Sequence, residues 1–135
     1  MTTILVERWE QVSRKFTDLA SELPFDETPV SGLRTCGDVV RHVAFWNQYV
    51  ADTLSGRPAN DSANELSRDE FPTKESVLEA LRKSSDAAVA ALRETSADST
   101  AARTVLPFLE HTAEHYGQLA VHARLLGIVP PASRT

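Results

Sequence analysis

The sequence predicts an all-α fold, a four-helix bundle, because apolar residues recur at helical spacing in four separate segments. Proline, glycine and polar residues separate these segments, and no stretch shows the two-residue alternation of a half-buried strand. The chain has 135 residues, a length typical of one compact domain, and no repeat or low-complexity linker divides it. We therefore expect residues 1–135 to form a single four-helix-bundle domain.

The first two helices are predicted from apolar stripes and from the residues that end them. The first stripe has alternating three- and four-residue steps and consists of Leu5, Trp9, Val12, Phe16, Leu19 and Leu23. Pro24 ends this helix, and residues 24–35 are predicted to form a long crossover loop. The second helix is expected to begin near Thr35 or Cys36 and to end at residues 55–58, where a glycine precedes a proline. Its buried side is predicted to carry Val39, Val43, Trp46, Val50 and Leu54.

The third and fourth helices follow a polar segment, residues 59–72. Thr73 is a suitable N-cap for the third helix, whose apolar positions are Val77, Leu81, Ala88 and Leu92. The fourth helix is expected to run from about Thr104 to just before Gly127. Pro107 then falls in its first turn, where a missing N–H costs no hydrogen bond. The loop before the second helix is longer than the roughly two to eight residues that join antiparallel neighbours, so the order of the helices stays open.

The apolar stripes also predict how the helices pack. We expect four antiparallel-packed helices around one core that contains Trp9, Phe16, Val43, Leu81, Phe108 and Leu119. Either the Ala-rich third helix or the first helix could pair across a two-fold axis, because symmetric dimers are the commonest oligomers. A homodimer is therefore predicted.

Charge and cysteine content exclude several classes of function. The chain has 14 basic and 19 acidic side chains, a net charge of -5, and no basic cluster, which argues against a nucleic-acid partner. A single cysteine, Cys36, cannot form an internal disulfide and favours a reducing compartment. No apolar run approaches the ~20 residues that cross a bilayer, and Glu7 and Arg8 interrupt any signal peptide. A cytoplasmic protein with no membrane partner is expected.

The histidines carry the strongest chemical signal. His111 and His115 are four residues apart, so on a helix both imidazoles face the same way and can reach one ion. A third ligand must then come from another helix, and His42 is the histidine that could supply it. His122 is about 10 Å further along the helix axis and cannot reach the same ion. The spacing alone leaves two interpretations open, a metal site or a pair that shares an exposed face.

The zinc-peptidase motif is absent from this pair. That motif, HExxH, places a glutamate directly after the first histidine to act as a general base. Thr112 occupies this position, and Glu110 and Glu114 each precede a histidine, so their side chains point about 100° away from the ligand face. A peptidase is poorly supported.

Two segments resemble the DinB-like superfamily, which also contains thiol-dependent S-transferases of the bacillithiol and mycothiol type. The closing segment, HTAEHYGQLAVHARLLGIVPP (residues 111–131), resembles the family's HxxxH, Gly-Gln-Leu and Pro-Pro pattern. Residues 19–50 resemble its crossover loop and the helix with one histidine that follows. The resemblance implies a bundle in which His42, His111 and His115 hold a divalent metal ion, with nickel or zinc as the expected metals.

Two functions of different class follow from this. The first is a metal-dependent transferase or hydrolase that acts on a small molecule, with a low-molecular-weight thiol as the expected partner. Its candidate pocket residues are Trp46, Tyr49, Gln118 and His122. A hydrogen bond within the core is the better explanation for His122, and Asn47 is better explained as an ordinary core or surface residue. The second is a non-catalytic metal- or ligand-binding protein of the stress response, which the lack of a recognisable acid–base pair favours.

Overall fold

The structure is a computed structural model that describes residues 2–95 and 99–134. It contains four α-helices, α1 (Thr2–Ser21), α2 (Cys36–Leu54), α3 (Lys74–Glu94) and α4 (Ser99–Leu125), followed by a short 3-10 helix at Pro131–Ser133. The described residues form no strand. None of their helices combines the length and the apolar character needed to cross a membrane. The prediction of an all-α four-helix bundle is confirmed.

The helices do not alternate in direction along the chain. One apolar cluster combines the end of α1, the beginnings of α2 and α3 and the end of α4 through Phe16, Leu19, Val39, Val43, Val77, Leu81, Leu119 and Ala123. The other combines the beginning of α1, the ends of α2 and α3 and the beginning of α4 through Leu5, Trp9, Val50, Ala51, Ala88, Leu92 and Val105. Consequently α2 and α3 run parallel to each other and antiparallel to α1 and α4. The prediction of antiparallel packing was therefore wrong for α2 and α3, which are neighbours in the bundle.

Because of these helix directions, the α1–α2 loop and the α2–α3 connection follow different paths. Each of α1 and α2 packs mainly against α3 and α4. The expected long loop between α1 and α2 is present and joins antiparallel helices at one end of the bundle. The connection from α2 to α3, residues 55–73, must return along the whole bundle, because the end of α2 and the beginning of α3 lie at opposite ends of it. It passes beside α2, where the Leu66 N–H donates to the Arg41 carbonyl at 3.3 Å.

The apolar interior is divided, and the prediction of one core was wrong in this respect. Phe16, Val43, Leu81 and Leu119 belong to the first cluster, Trp9 belongs to the second, and Phe108 is a partly buried residue packed against the second. Buried polar side chains occupy intermediate positions along the helices, namely Asn47, Ser84, Ser85 and Thr112. The Ser85 hydroxyl accepts a hydrogen bond from Trp9 Nε1 at 3.1 Å, and the Ser84 and Thr112 hydroxyls donate to the carbonyls of Leu81 and Phe108. These three polar groups are therefore satisfied inside the bundle.

Local signals predicted two helix starts correctly. The Thr35 side chain accepts from the Asp38 N–H at the start of α2. Thr73 and Ser76 form a capping box at the start of α3. Gly127, with φ of 80°, follows the last turn of α4, where the Ile128 N–H donates to the Ala123 carbonyl at 2.8 Å.

The predicted start of α4 was wrong, because the helix begins at Ser99 and not near Thr104. Pro107 therefore lies inside the helix and not in its first turn. Its ring nitrogen cannot donate, so the Arg103 carbonyl loses its usual donor four residues ahead. Both residues are exposed, and water can bond to that carbonyl.

Candidate metal centre

Three imidazoles meet between α2 and α4. The Nε2 atom of His111 lies 2.8 Å from Nε2 of His42 and 3.1 Å from Nε2 of His115. The ligand atoms of all three residues lie within 4.8 Å of one another. His42 is buried and the other two are partly buried. The structure thus brings together the three histidines that the sequence singled out.

Each of two rings has a hydrogen-bond partner on its far side. Nδ1 of His42 is 2.7 Å from the carbonyl oxygen of Asn64, and Nδ1 of His115 is 2.8 Å from the side-chain Oε1 of Gln118. An oxygen of either kind can only accept, so each Nδ1 carries the proton and donates it. In a neutral imidazole with a protonated Nδ1, the Nε2 atom carries a lone pair. His42 and His115 therefore both direct a lone pair towards His111.

This arrangement fits a cation. With both Nδ1 atoms protonated, the three rings retain at most one Nε2–H, on His111, and it can serve only one of its two neighbours fully. The neighbour that this proton does not serve keeps a lone pair close to the His111 Nε2 atom with no proton directed at it. A metal ion removes this repulsion because it accepts all three lone pairs, at roughly 2.0–2.1 Å for zinc. The described residues are therefore suited to bind a metal ion.

The surroundings of His42 and His111 favour the neutral form of both rings. Burial lowers the pKa of His111 to about 4, and the neighbouring His115 and His42 contribute to the lowering. Burial is also the main cause of the lowered pKa of His42, although its hydrogen bond to Asn64 acts in the opposite direction. Only neutral imidazole binds metal, so these rings are ready to ligate at neutral pH.

Acid release of the metal is expected at a lower pH than for ordinary histidines. A proton competes with the metal only where the free ring is basic, and a lowered pKa weakens that competition. Protonation of His42 and His111 should therefore displace zinc or nickel only below pH 6.5, the ordinary histidine pKa, because burial lowers the pKa of both rings, that of His111 to about 4. A titration of metal release against pH tests this. A midpoint at or above 6.5 would contradict it.

An aromatic cluster stands beside the histidines. The rings of Trp46 and Phe108 are stacked with their centroids 5.7 Å apart, and Tyr49 lies 5.1 Å from the first and 5.4 Å from the second. The Phe108 ring is 6.5 Å from that of His111. All three aromatic side chains are partly exposed. Two of the predicted pocket residues, Trp46 and Tyr49, thus provide an apolar surface next to the candidate metal centre.

The connection between α2 and α3 adds residues that the sequence pattern did not single out. Asn64 accepts from His42 through its carbonyl and from Trp46 Nε1 through its side chain, the latter at 3.0 Å. The next residue, Glu65, pairs with Arg34 of the crossover loop at 2.7 Å. Asn64 has a positive φ of 68°, a conformation that asparagine tolerates better than most residues. An asparagine in this segment was therefore the one sequence feature that could have pointed to a special backbone position. Nothing in the polar segment 59–72 indicated that it returns past α2.

The remaining predicted pocket residue lies elsewhere. His122 is buried, with 2% of its surface exposed, and its Nδ1 atom is 3.5 Å from Sγ of Cys36. Its Nε2 atom is buried and has no hydrogen-bond partner among the described residues. Asn47, for which core and surface both stayed open, is buried. His122 is therefore a core residue near the end of α4, and the structure does not place it in the three-histidine cluster.

His122 should make the fold sensitive to acid. Burial lowers its pKa, so between pH 6.5 and that lowered value the unfolded chain binds a proton that the folded chain does not. Its contribution to stability is complete above pH 6.5 and decreases as the pH falls through this window. We expect His122→Leu to lose less stability than the wild type between pH 7 and pH 5 in urea unfolding of the metal-free protein. Equal losses would show that His122 does not contribute.

Comparison with known proteins agrees with the geometry. The family model of the DinB superfamily matches residues 5–122, which is most of the chain. No curated protein and no solved structure gives a significant match. A helical bundle whose second and fourth helices bring three histidines together is what the resemblance of residues 19–50 and 111–131 implied. The chain belongs to the DinB superfamily.

Proposed function

We propose that this protein is a metal-dependent enzyme that acts on a small molecule. The observation that carries the proposal is the convergence of the Nε2 atoms of His42, His111 and His115. Three protein ligands are typical of catalytic sites, because the remaining coordination positions stay open for a substrate, whereas structural sites are closed by four. Imidazole ligands suit nickel and zinc, the two metals we propose.

The chain's own residues would orient and shield the reacting groups. When bound, a divalent ion supplies Lewis acidity, which lowers the pKa of a thiol or a water molecule that it binds. Gln118 and Asn64 hold two of the ligand rings in place through Nδ1. Trp46 and Phe108 offer stacked, partly exposed rings on which the apolar part of a substrate can pack.

The hydrogen-bond partners of the histidines favour a thiol over water as the nucleophile. The three rings lie within hydrogen-bond distance of one another, of the Asn64 carbonyl and of the Gln118 side-chain amide. Among the described residues, no carboxylate hydrogen-bonds to them. Attack by water normally requires a general base within hydrogen-bond reach, whereas a thiol is acidic enough to need less assistance. We therefore favour an S-transferase-like reaction with a low-molecular-weight thiol over a hydrolase-like one.

Turnover of an electrophilic model substrate tests the proposal. Tag-free protein would be analysed for its metal content, stripped with a chelator and reloaded with nickel or zinc. Transfer of a small thiol, such as cysteine, to an activated aryl halide would then be followed with and without metal. We expect metal-dependent transfer that His111→Ala abolishes. Metal uptake without turnover of any thiol or ester substrate would support the alternative, a non-catalytic metal-binding protein.

The cellular setting and the assembly state are part of the same proposal. Small thiols are kept reduced in the cytoplasm, and the one cysteine, Cys36, is free and buried. We therefore propose that the protein lies in the cytoplasm.

We also propose a homodimer through α1 and α3. The groove between these helices supports it, because its lining carries both signs of charge, on Arg14, Asp18, Arg82 and Asp86. Light scattering that gives a concentration-independent mass of 14.8 kDa would exclude the dimer.

A further inference from the structure

We propose that Asn64 is a positioning residue for the metal centre and that it acts through its backbone. Its carbonyl oxygen, 2.7 Å from Nδ1 of His42, fixes the ring so that the Nε2 lone pair points at the other two histidines. The inference rests on the proposed metal-binding function and assigns a part of the site to the α2–α3 connection. Asn64 would orient the His42 ring for metal binding and would take no part in the reaction itself.

The backbone of Asn64 is unusual in a way that matters for this role. Its φ is 68°, and no other non-glycine residue in the described part of the chain has a positive φ. Side chains with a Cβ branch or bulk are strained in this region, whereas asparagine and glycine accept it. A residue with a positive φ at this position of the chain is therefore restricted mainly to asparagine or glycine. At Asn64 this conformation coincides with the carbonyl that accepts the hydrogen bond from His42.

The neighbours of Asn64 hold it in place. Its own side chain accepts from Trp46 Nε1 at 3.0 Å, one turn of α2 beyond His42. Glu65 pairs with Arg34 of the crossover loop, and the Leu66 N–H donates to the Arg41 carbonyl, directly before His42 in the chain. The Leu66 side chain also packs against the first apolar cluster. Three consecutive residues thus tie the connection to α2 and to the crossover loop around the metal ligand.

Two substitutions separate the backbone role from the side-chain role. Both Asn64→Ala and Asn64→Gly remove the side-chain bond to Trp46, but only alanine is strained at this φ. Asn60→Ala is the matched control, because Asn60 lies in the same connection and its side chain hydrogen-bonds, within the described part of the chain, only to the nearby Ser62. Zinc affinity would be measured by competition with a chromophoric chelator. The tautomer of His42 would be read from the 15N chemical shifts of its ring, and thermal unfolding of the metal-free proteins would monitor folding.

We expect Asn64→Ala to weaken zinc binding by about 10-fold or more, the range seen when an outer partner of a ligand histidine is lost. Asn64→Gly should stay within about threefold of the wild type while its tryptophan fluorescence changes, because the carbonyl is retained. In Asn64→Ala the ring shifts should show a mixture of His42 tautomers, which a loss of stability alone would not produce.

The outcomes distinguish this inference from the function on which it rests. Wild-type and Asn60→Ala proteins that take up no zinc or nickel would overturn the metal-dependent function itself. Tight zinc binding by all four proteins would overturn only the role of Asn64. An equal loss in the glycine and alanine variants, with an unchanged His42 tautomer, would also overturn it, since the side chain rather than the backbone would then be responsible.

Discussion

His115→Ala is expected to remove the metal from the protein. The ring nitrogens of His115 and His111 are 3.1 Å apart on one face of α4, and truncation leaves two ligands where three converged. The loss of affinity should exceed the roughly 10- to 100-fold that follows from removal of an outer hydrogen-bond partner. Competition with a chromophoric chelator gives the affinity, and elemental analysis of the purified variant gives the occupancy.

His122→Ala is the control for this experiment. It removes a histidine from the same helix, but one that contacts Cys36 in the core and not the three-histidine cluster. Its metal content should equal that of the wild type, even if its stability changes. If His115→Ala kept its metal, or if His122→Ala lost it while still folded, the ligands would be other than His42, His111 and His115.

The parts of the site that sequence could predict are those set by helical geometry. An i and i+4 pair must share a face, so the spacing of His111 and His115 was enough to pair them. His42 followed because it was the remaining histidine on another helix. Asn64 could not be found in this way, because its role depends on the path of a connection that has no periodicity.

The same distinction holds for the fold. Apolar spacing shows which face of a helix is buried, and caps such as Thr73 show where a helix starts. Neither shows which helix is the neighbour or whether it runs parallel. The parallel packing of α2 and α3, and the buried polar layer with Asn47 and Thr112, are therefore tertiary features that a local pattern does not contain.

The early start of α4 has a similar explanation. Residues 99–104 carry little apolar surface, so periodicity gave no reason to include them. In the structure Ala101 is buried, with 4% of its surface exposed, and Val105 lies in the second cluster. Tertiary burial of small residues extends the helix past the point at which the sequence signal fades.

Leu119→Ala is expected to destabilise the fold by about 2–5 kcal/mol, the range for large-to-small changes at buried leucines. Leu119 has 0% of its surface exposed and belongs to the cluster formed with Phe16, Val43 and Leu81, so truncation opens a cavity that four helices enclose. Urea unfolding of the metal-free protein measures the change without the stabilisation that a bound ion adds. Leu125→Ala, on the same helix but 57% exposed, is the matched control and should change stability by less than about 0.5 kcal/mol. Similar effects of the two substitutions would mean that α4 does not pack with the face that the cluster defines.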